Sequence, residues 1–96
     1  MKHFTNRGGE GAVNFTLPAT AQRGLRFLFT VIADQNVTIT AGTGDTLVSY
    51  NDATADSVAL STASEKIGGT VEIVADGTSW IAIPHFWEGQ TATIAT

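Results

Sequence analysis

The segment TVEIVADGTSWIAI, residues 70–83, decides the fold. Its first half has apolar residues at every second position: Val71, Ile73 and Ala75. This period of two is typical of a β-strand with one buried face. Asp76-Gly77 follows, and such a pair supplies the positive φ angles of a two-residue type I′ turn. A second β-branched and aromatic run comes directly afterwards, so the segment predicts a hairpin of two strands, at 70–75 and 78–83.

Short strands separated by turn residues are predicted along the rest of the chain. Thr, the commonest residue with fifteen copies, favours strands, as do Val and Ile, whereas Gly, Asp and Asn favour turns. Further apolar or alternating runs lie at 13–17, 25–33, 37–41, 46–50, 58–61 and 91–95. Turn signals at this spacing predict an all-β domain, either a short-stranded sandwich or barrel or an intertwined solenoid-like form.

The size and composition of the chain indicate association with further copies. The chain has 96 residues and no cysteine, so it makes one small domain without disulfides. Charged residues are 15% of the total, against a usual share of about 25%, which suggests that part of the surface does not face water. The run at 25–33 is apolar on both faces, and we expect one face to meet another subunit.

Positive charge is concentrated near the N-terminus. Residues 1–26 have one acidic residue and four cations: Lys2, Arg7, Arg23 and Arg26. Residues 27–96 have one lysine and eight acidic residues, and the net charge is −4. This acidic body has no basic stripe, so no nucleic-acid partner is expected. Residues 1–11 hold three glycines and no periodicity, which predicts a flexible arm ahead of a single β domain at 12–96.

The sequence predicts no export signal and no membrane segment. Residues 1–10 lack the apolar core of a signal peptide, and no run approaches the roughly 18 apolar residues of a membrane span. We therefore expect synthesis in the cytoplasm and no membrane partner.

Six short motifs follow one another along residues 6–83. In chain order they are Asn-Arg-Gly at 6–8, Phe-Thr-Leu-Pro at 15–18, a Gly-initiated aromatic strand at 24–32, Ile-Thr followed by Gly-Asp-Thr within 39–46, Ile-Gly-Gly before a Val strand at 67–74, and Asp-Gly-Thr-Ser-Trp at 76–80. Their order resembles the small trimeric β-domains of tailed-phage virion proteins. Such domains occur as capsid decoration (cement) proteins and as trimerising modules of head and tail fibres. Residues 84–96 match nothing in this pattern.

The resemblance implies a homotrimer around a threefold axis, seated on the outer surface of the phage head at capsomer junctions. A chain with no shaft or second domain fits decoration better than a fibre. We therefore expect a non-enzymatic virion protein that binds the major capsid protein and stabilises the assembled head. The alternatives are a fibre or baseplate trimerisation module and, from another class, a carbohydrate-binding module that uses exposed aromatic residues.

Two sets of residues are assigned to these contacts. The trimer interface is expected on the apolar runs, at Phe27, Phe29, Val31, Val37 and Ile39. The capsid contact is expected on the basic segment and its arm, at Lys2, Phe4, Arg7, Arg23 and Arg26. The arm brings positive charge and one apolar anchor to an acidic shell.

No catalytic residue, metal site or cofactor is predicted. Asp52 and Asp56 flank a polar loop with no sign of the pocket that acid–base catalysis requires. Residues 42–45 lack the ligands of a calcium loop and the lysine of a P-loop, which indicates a tight turn. No Gly-x-Ser-x-Gly elbow accompanies the Ser, His and Asp residues.

His85 and Trp87 are the candidate exposed recognition residues. They follow Pro84, which is expected to close the last strand of the hairpin. Trp87 can anchor a protein interface or, with Trp80, Tyr50 and Phe86, form a platform for a sugar. Trp80 lies within a predicted strand, and we expect it to cap the core instead.

Overall fold

The computed structural model describes residues 2–18, 23–42, 45–49, 52–61, 66–86 and 88–95. These residues form ten strands: β1 (Lys2–Thr5), β2 (Val13–Thr16), β3 (Arg26–Thr30), β4 (Val37–Thr40), β5 (Leu47–Ser49), β6 (Asp52–Ala55), β7 (Ser57–Leu60), β8 (Thr70–Ala75), β9 (Trp80–His85) and β10 (Ala92–Ala95). The described residues include no helix, and hence no helix that could cross a membrane. The prediction of an all-β chain is confirmed.

The strands form two sheets that share one core. One sheet has six strands in the order β1-β3-β8-β9-β5-β6, and the other has four in the order β10-β7-β4-β2. Both sheets are mixed, because β1 with β3, β5 with β9 and β2 with β4 are parallel pairs. Buried side chains from both sheets belong to a single cluster, so the architecture is a two-layer sandwich.

Successive side chains of each strand point alternately into the core and away from it. β8 is the clearest case, with three buried residues on one face: Val71, Ile73 and Ala75. The four-stranded sheet contributes the opposite wall of the core: Val37, Ile39, Val58 and Leu60. Trp80, at the start of β9, is the largest fully buried side chain. The hydrophobic effect therefore selects one face of each strand, as the period of two predicts.

β8 and β9 form the predicted hairpin, but the turn between them is longer. Their register pairs Ala75 with Trp80, so the connection is residues 76–79 rather than two residues. The carboxylate of Asp76 accepts hydrogen bonds from the two backbone N–H groups of 78–79, both at 2.8 Å. The prediction of a two-residue turn is wrong because this carboxylate closes a wider loop.

β1 occupies the place of the flexible arm predicted for residues 1–11. It is an edge strand and pairs in parallel with β3 over four residue pairs. Asn6 follows it and is only 4% exposed. Its Oδ1 accepts hydrogen bonds from the backbone N–H of Ile32 at 2.7 Å and of Ala33 at 3.0 Å, and its Nδ2 donates to the Ala33 carbonyl at 3.0 Å. Residues 2–6 are thus part of the domain. They are held by hydrogen bonds that the periodicity of apolar residues in the sequence does not predict.

β6 is the second strand that the sequence did not predict. It lies in the polar segment 51–56, which was expected to be an open loop, and it pairs antiparallel with β5. Ala55 is fully buried there, opposite Leu47. A single small apolar residue is enough to place this edge strand against the core, although it makes no periodic pattern.

The dimensions of the chain are those of a complete monomeric domain. Its accessible surface is 5330 Å², against about 5200 Å² for a typical folded monomer of 10.0 kDa. Its radius of gyration is 12.3 Å, against about 12.5 Å for a compact domain of this length. The small size of the chain therefore does not by itself require strands from a partner.

Candidate functional site

Of the five residues predicted at a trimer interface, four lie in the core of one chain and the fifth is half-buried at its edge. Phe29, Val31, Val37 and Ile39 are at most 2% exposed, and Phe27 packs against this core. The four-stranded sheet covers the inner face of β3, so the layer that the sequence assigned to another subunit is supplied by the same chain. This corrects the assignment of these residues to a surface.

The predicted capsid-contact residues are dispersed. Phe4 packs inward, with ring centroids 5.7 Å from Phe15 and 5.3 Å from Phe29. It is therefore not an apolar anchor that projects from an arm. Lys2 and Arg7 flank β1 at its two ends, and neither has a carboxylate partner among the residues that the structure describes.

Of the remaining two cations, one forms an ion pair and the other influences a nearby acid electrostatically. The Arg26 guanidinium donates a hydrogen bond to the Glu72 carboxylate. Arg23 lies beside Asp76, whose pKa is held below its ordinary range mainly by the hydrogen bonds from the backbone N–H groups of 78–79, with a further electrostatic effect of Arg23. Arg23 and Arg26 therefore add less positive charge to the surface than the sequence suggests.

The six-stranded sheet carries an apolar surface on the side away from the core. Strand register and alternation bring five outward residues together, and we call this set the outer face: Leu28, Val48, Val74, Ile81 and Ile83. Val48 and Ile83 are 37% and 39% exposed, and the other three are half-buried. The solvent side of a sheet is normally polar, so a contiguous apolar surface there indicates a contact site.

Glu72 lies at the centre of the outer face, between Leu28 and Ile83 in the register. Its side chain is only 13% exposed. Arg26 donates to one carboxylate oxygen, and Nε2 of His85 is 3.4 Å from the other. These two hydrogen bonds, that of Arg26 first, hold the pKa of Glu72 below its ordinary range because they stabilise the charged form. The acid in this apolar surface is therefore compensated by its neighbours.

A chain of hydroxyl groups borders the outer face. Nε2 of His3 is 2.7 Å from Oγ1 of Thr30, which is 3.1 Å from Oγ1 of Thr70. Thr70 also donates to the carbonyl oxygen of Gly68 at 3.3 Å. These contacts satisfy the polar groups of β1, β3 and β8 at this end of the sheet, so they do not interrupt the apolar surface beside them.

The candidate recognition residues do not form one surface in the described part of the chain. His85 is exposed and borders a shallow depression with Gly68, Thr70 and Phe86. Trp87 and Tyr50 lie outside the described residues. Trp80 is fully buried, and its ring lies 5.7 Å from that of Phe27, so it takes no part in a sugar platform. The sequence expectation that Trp80 caps the core agrees with this position.

Of the two candidate acidic residues, Asp52 has a local structural role. Oδ1 of Asp52 accepts a hydrogen bond from the backbone N–H of Thr54 at 2.9 Å, at the start of β6. Asp56 is exposed just beyond the end of that strand. Residues 43–44 of the predicted tight turn lie outside the described residues. Within the part of the chain that the structure describes, no group of three or more His, Cys, Asp or Glu residues could hold a metal ion.

A groove opens where the edges of the two sheets face each other. β1 ends one sheet and β2 ends the other, and the space between them has a volume of about 500 Å³. Its walls are mainly apolar: Phe4, Phe15, Leu17, Leu25, Phe27 and Phe29. Lys2 is the charged residue in its lining.

Comparison of the chain with family models, with curated proteins and with solved structures found no match. The candidate surfaces therefore rest on the residues and their geometry. Sequence reasoning missed the outer face, although a signal was present: β9 has Ile81 and Ile83 on the face opposite Trp80, so it is apolar on both sides. The run at 25–33 has the same property, and there it led to the prediction of a subunit contact.

Proposed function

We propose that the protein is a capsid decoration protein, which assembles as a homotrimer and stabilises an assembled phage head from outside. The observation that carries the proposal is the outer face. A chain that already has the surface area expected of a monomer still carries five apolar side chains on the outer side of its sheet, two exposed and three half-buried, and such a cluster favours coverage by protein. The order of motifs over residues 6–83 supports the virion context.

The trimer we propose consists of three complete sandwiches. Their outer faces point towards a threefold axis, so each face contacts both neighbours and the ring closes without a free apolar surface. Glu72 fits this arrangement because Arg26 and His85 already compensate its charge before the face is covered. The subunits associate through Ile81, Ile83 and their neighbours rather than through the core residues of β3 and β4.

Capsid binding in this proposal relies on many weak contacts. Lys2 and Arg7 form no ion pair with a carboxylate among the described residues, and they suit an acidic shell. Three copies of each contact on one trimer raise the avidity for a symmetric lattice. Because the trimer binds the assembled lattice and not free subunits, it stabilises the head by mass action.

The outer face is tested by a matched pair of substitutions. Sedimentation of the wild-type chain should give three times the 10.0 kDa chain mass. Ile83→Asp places a charge on the outer face and should weaken association at least tenfold, since an apolar contact of about 1.5–3 kcal/mol is lost. Ile67→Asp is the control, because Ile67 is more exposed, at 57%, but lies on a turn outside the outer face. A monomeric wild type, or equal effects of both substitutions, would contradict the trimer.

The capsid contact is tested with heads that lack the protein. Wild-type protein should pellet with them saturably, and added salt should weaken binding because exposed charges are screened. The double variant Lys2→Gln, Arg7→Gln should remain trimeric and bind more weakly. A wild-type trimer that stays in the supernatant with such heads would rule out decoration.

A further inference from the structure

The groove between β1 and β2 has the size and lining of a small-ligand site. Its volume of about 500 Å³ lies within the range of roughly 300–1000 Å³ that is usual for such sites. Phe15, Leu25 and Phe27 contribute apolar walls, and Phe15 and Phe27 are themselves only half-buried. A concave apolar wall of this kind gains free energy when it is covered by another apolar surface.

The groove is shaped by the way in which β1 closes the sheet. The ring of Phe4 stacks on that of Phe29, with centroids 5.3 Å apart, and also meets Phe15 across the two sheets. Lys2 lies two residues before Phe4, so both side chains leave β1 on the same side. The groove therefore has an aromatic wall at Phe4 and a cation further along the same strand.

The charge of Lys2 indicates what the groove accepts. Lys2 lines the groove and has no acidic partner among the described residues. An ammonium group beside an apolar wall is complementary to a ligand with one negatively charged end and an apolar body. Apart from Lys2 and Thr16, the described side chains of the lining are apolar, so they suit the apolar body of such a ligand better than its polar groups.

We propose that this groove binds an anionic amphiphile, with its apolar body against Phe15, Leu25 and Phe27 and its acidic head group at Lys2. A long-chain carboxylate is the simplest member of this class. Neither the outer face nor Arg7 takes part in this site, so it is independent of the trimer, whereas Lys2 is shared with the proposed capsid contact.

Titration with dodecanoate and with dodecyltrimethylammonium, below their micelle concentrations, tests the site. Nuclear magnetic resonance should show saturable shifts of the backbone amides at 15–17 and 25–29, with tighter binding of dodecanoate. This preference is informative because the net charge of −4 favours the cationic probe for the protein as a whole. Equal affinity for the two probes, or shifts that do not saturate at these residues, would overturn the proposal.

Reversal of one charge distinguishes the role of Lys2 from a general electrostatic effect. Lys2→Glu should reverse the preference between the two probes, and Lys2→Gln should weaken dodecanoate binding about two- to fivefold. Arg7→Glu makes the same change of charge beyond the other end of β1 and should leave the preference as it is. Lys2 is exposed, so these variants should keep the wild-type spectrum elsewhere. A reversal by both Glu variants, or by neither, would exclude the proposed head-group site.

Discussion

Asn6 joins the N-terminal strand to the rest of the six-stranded sheet. Its side chain accepts hydrogen bonds from two consecutive backbone N–H groups, those of Ile32 and Ala33, and donates to the carbonyl of Ala33. It therefore continues the pairing of β1 with β3 beyond the last strand residues. These hydrogen bonds explain why the motif Asn-Arg-Gly at 6–8 begins with asparagine. They also make Asn6 part of the folded domain, although it lies in a polar, glycine-rich segment.

Asn6→Ala should lower the free energy of unfolding by about 2–4 kcal/mol. Two partly buried N–H groups lose their acceptor, and each such loss costs about 1–3 kcal/mol. Chemical denaturation measures the change. Asn14→Ala is the matched control, because Asn14 is exposed and makes a surface hydrogen bond with Thr40, so its loss should cost less than about 1 kcal/mol. Equal losses for the two variants would show that Asn6 does not anchor β1.

At the scale of elements, the hairpin of β8 and β9 organises both sides of the six-stranded sheet. Its inward residues supply much of the core, and its outward residues Val74, Ile81 and Ile83 form most of the outer face. The turn at 76–79 is held by the Asp76 carboxylate, and Gly77 within it has a φ of +98°. Glycine adopts this conformation without the steric cost that a side chain would add.

The hairpin should make the stability of the protein fall in acid. The pKa values of Glu72 and Asp76 are both lowered in the folded state, so their contribution is fully present at neutral pH. It is lost as the pH falls below about 4, through the ordinary carboxyl range and then the lower folded values. Melting temperatures measured between pH 7 and pH 2.5 should show this decline.

A substitution at Asp76 separates the hairpin from general acid unfolding. Asp76→Asn removes the titrating group and keeps a side-chain oxygen for the turn, so the decline in acid should be smaller than in the wild type. Glu10→Gln, which removes an exposed carboxylate outside the hairpin, should leave the decline unchanged. If Asp76→Asn follows the wild-type profile, Asp76 does not contribute to the acid sensitivity.

Sequence patterns predicted where the strands lie better than they predicted what covers each face of a strand. The run at 25–33 is apolar throughout, and it forms β3, but its inner face packs on the second sheet of the same chain. Trp80 is one position where the expected and observed environments agree, because a large aromatic residue in an alternating strand gains much from burial. The groove and the compensated Glu72 were not predictable, because each brings together residues from separate strands.

At the scale of the whole molecule, the chain folds as a finished sandwich with open sheet edges. β1 and β6 end one sheet, and β2 and β10 end the other. The outer face and the groove lie on different sides of the six-stranded sheet, because one uses its outward residues and the other its inward residues. Association of copies and binding of a ligand are therefore separable in this fold.

The thermal stability of the proposed trimer should depend on protein concentration. Unfolding of a trimer to separate chains is opposed by mass action, so the melting temperature should rise by about 3–6 °C for a tenfold increase in concentration. Differential scanning calorimetry measures this shift. Ile83→Asp, which weakens the outer-face contact, should melt at a lower temperature than the wild type at the same concentration. A wild-type melting temperature that is constant over a hundredfold range would contradict the trimer.

The sequence by itself determined that the chain is all-β and where the hairpin at 70–83 lies, because alternation and turn residues act locally along the chain. The tertiary structure decided which apolar faces are covered. The composition of the small, weakly charged chain predicts a partner over β3, yet its own second sheet covers that strand and the outer face is left without a covering layer. Burial depends on which sheets pack together, and this packing joins residues that are far apart in the sequence.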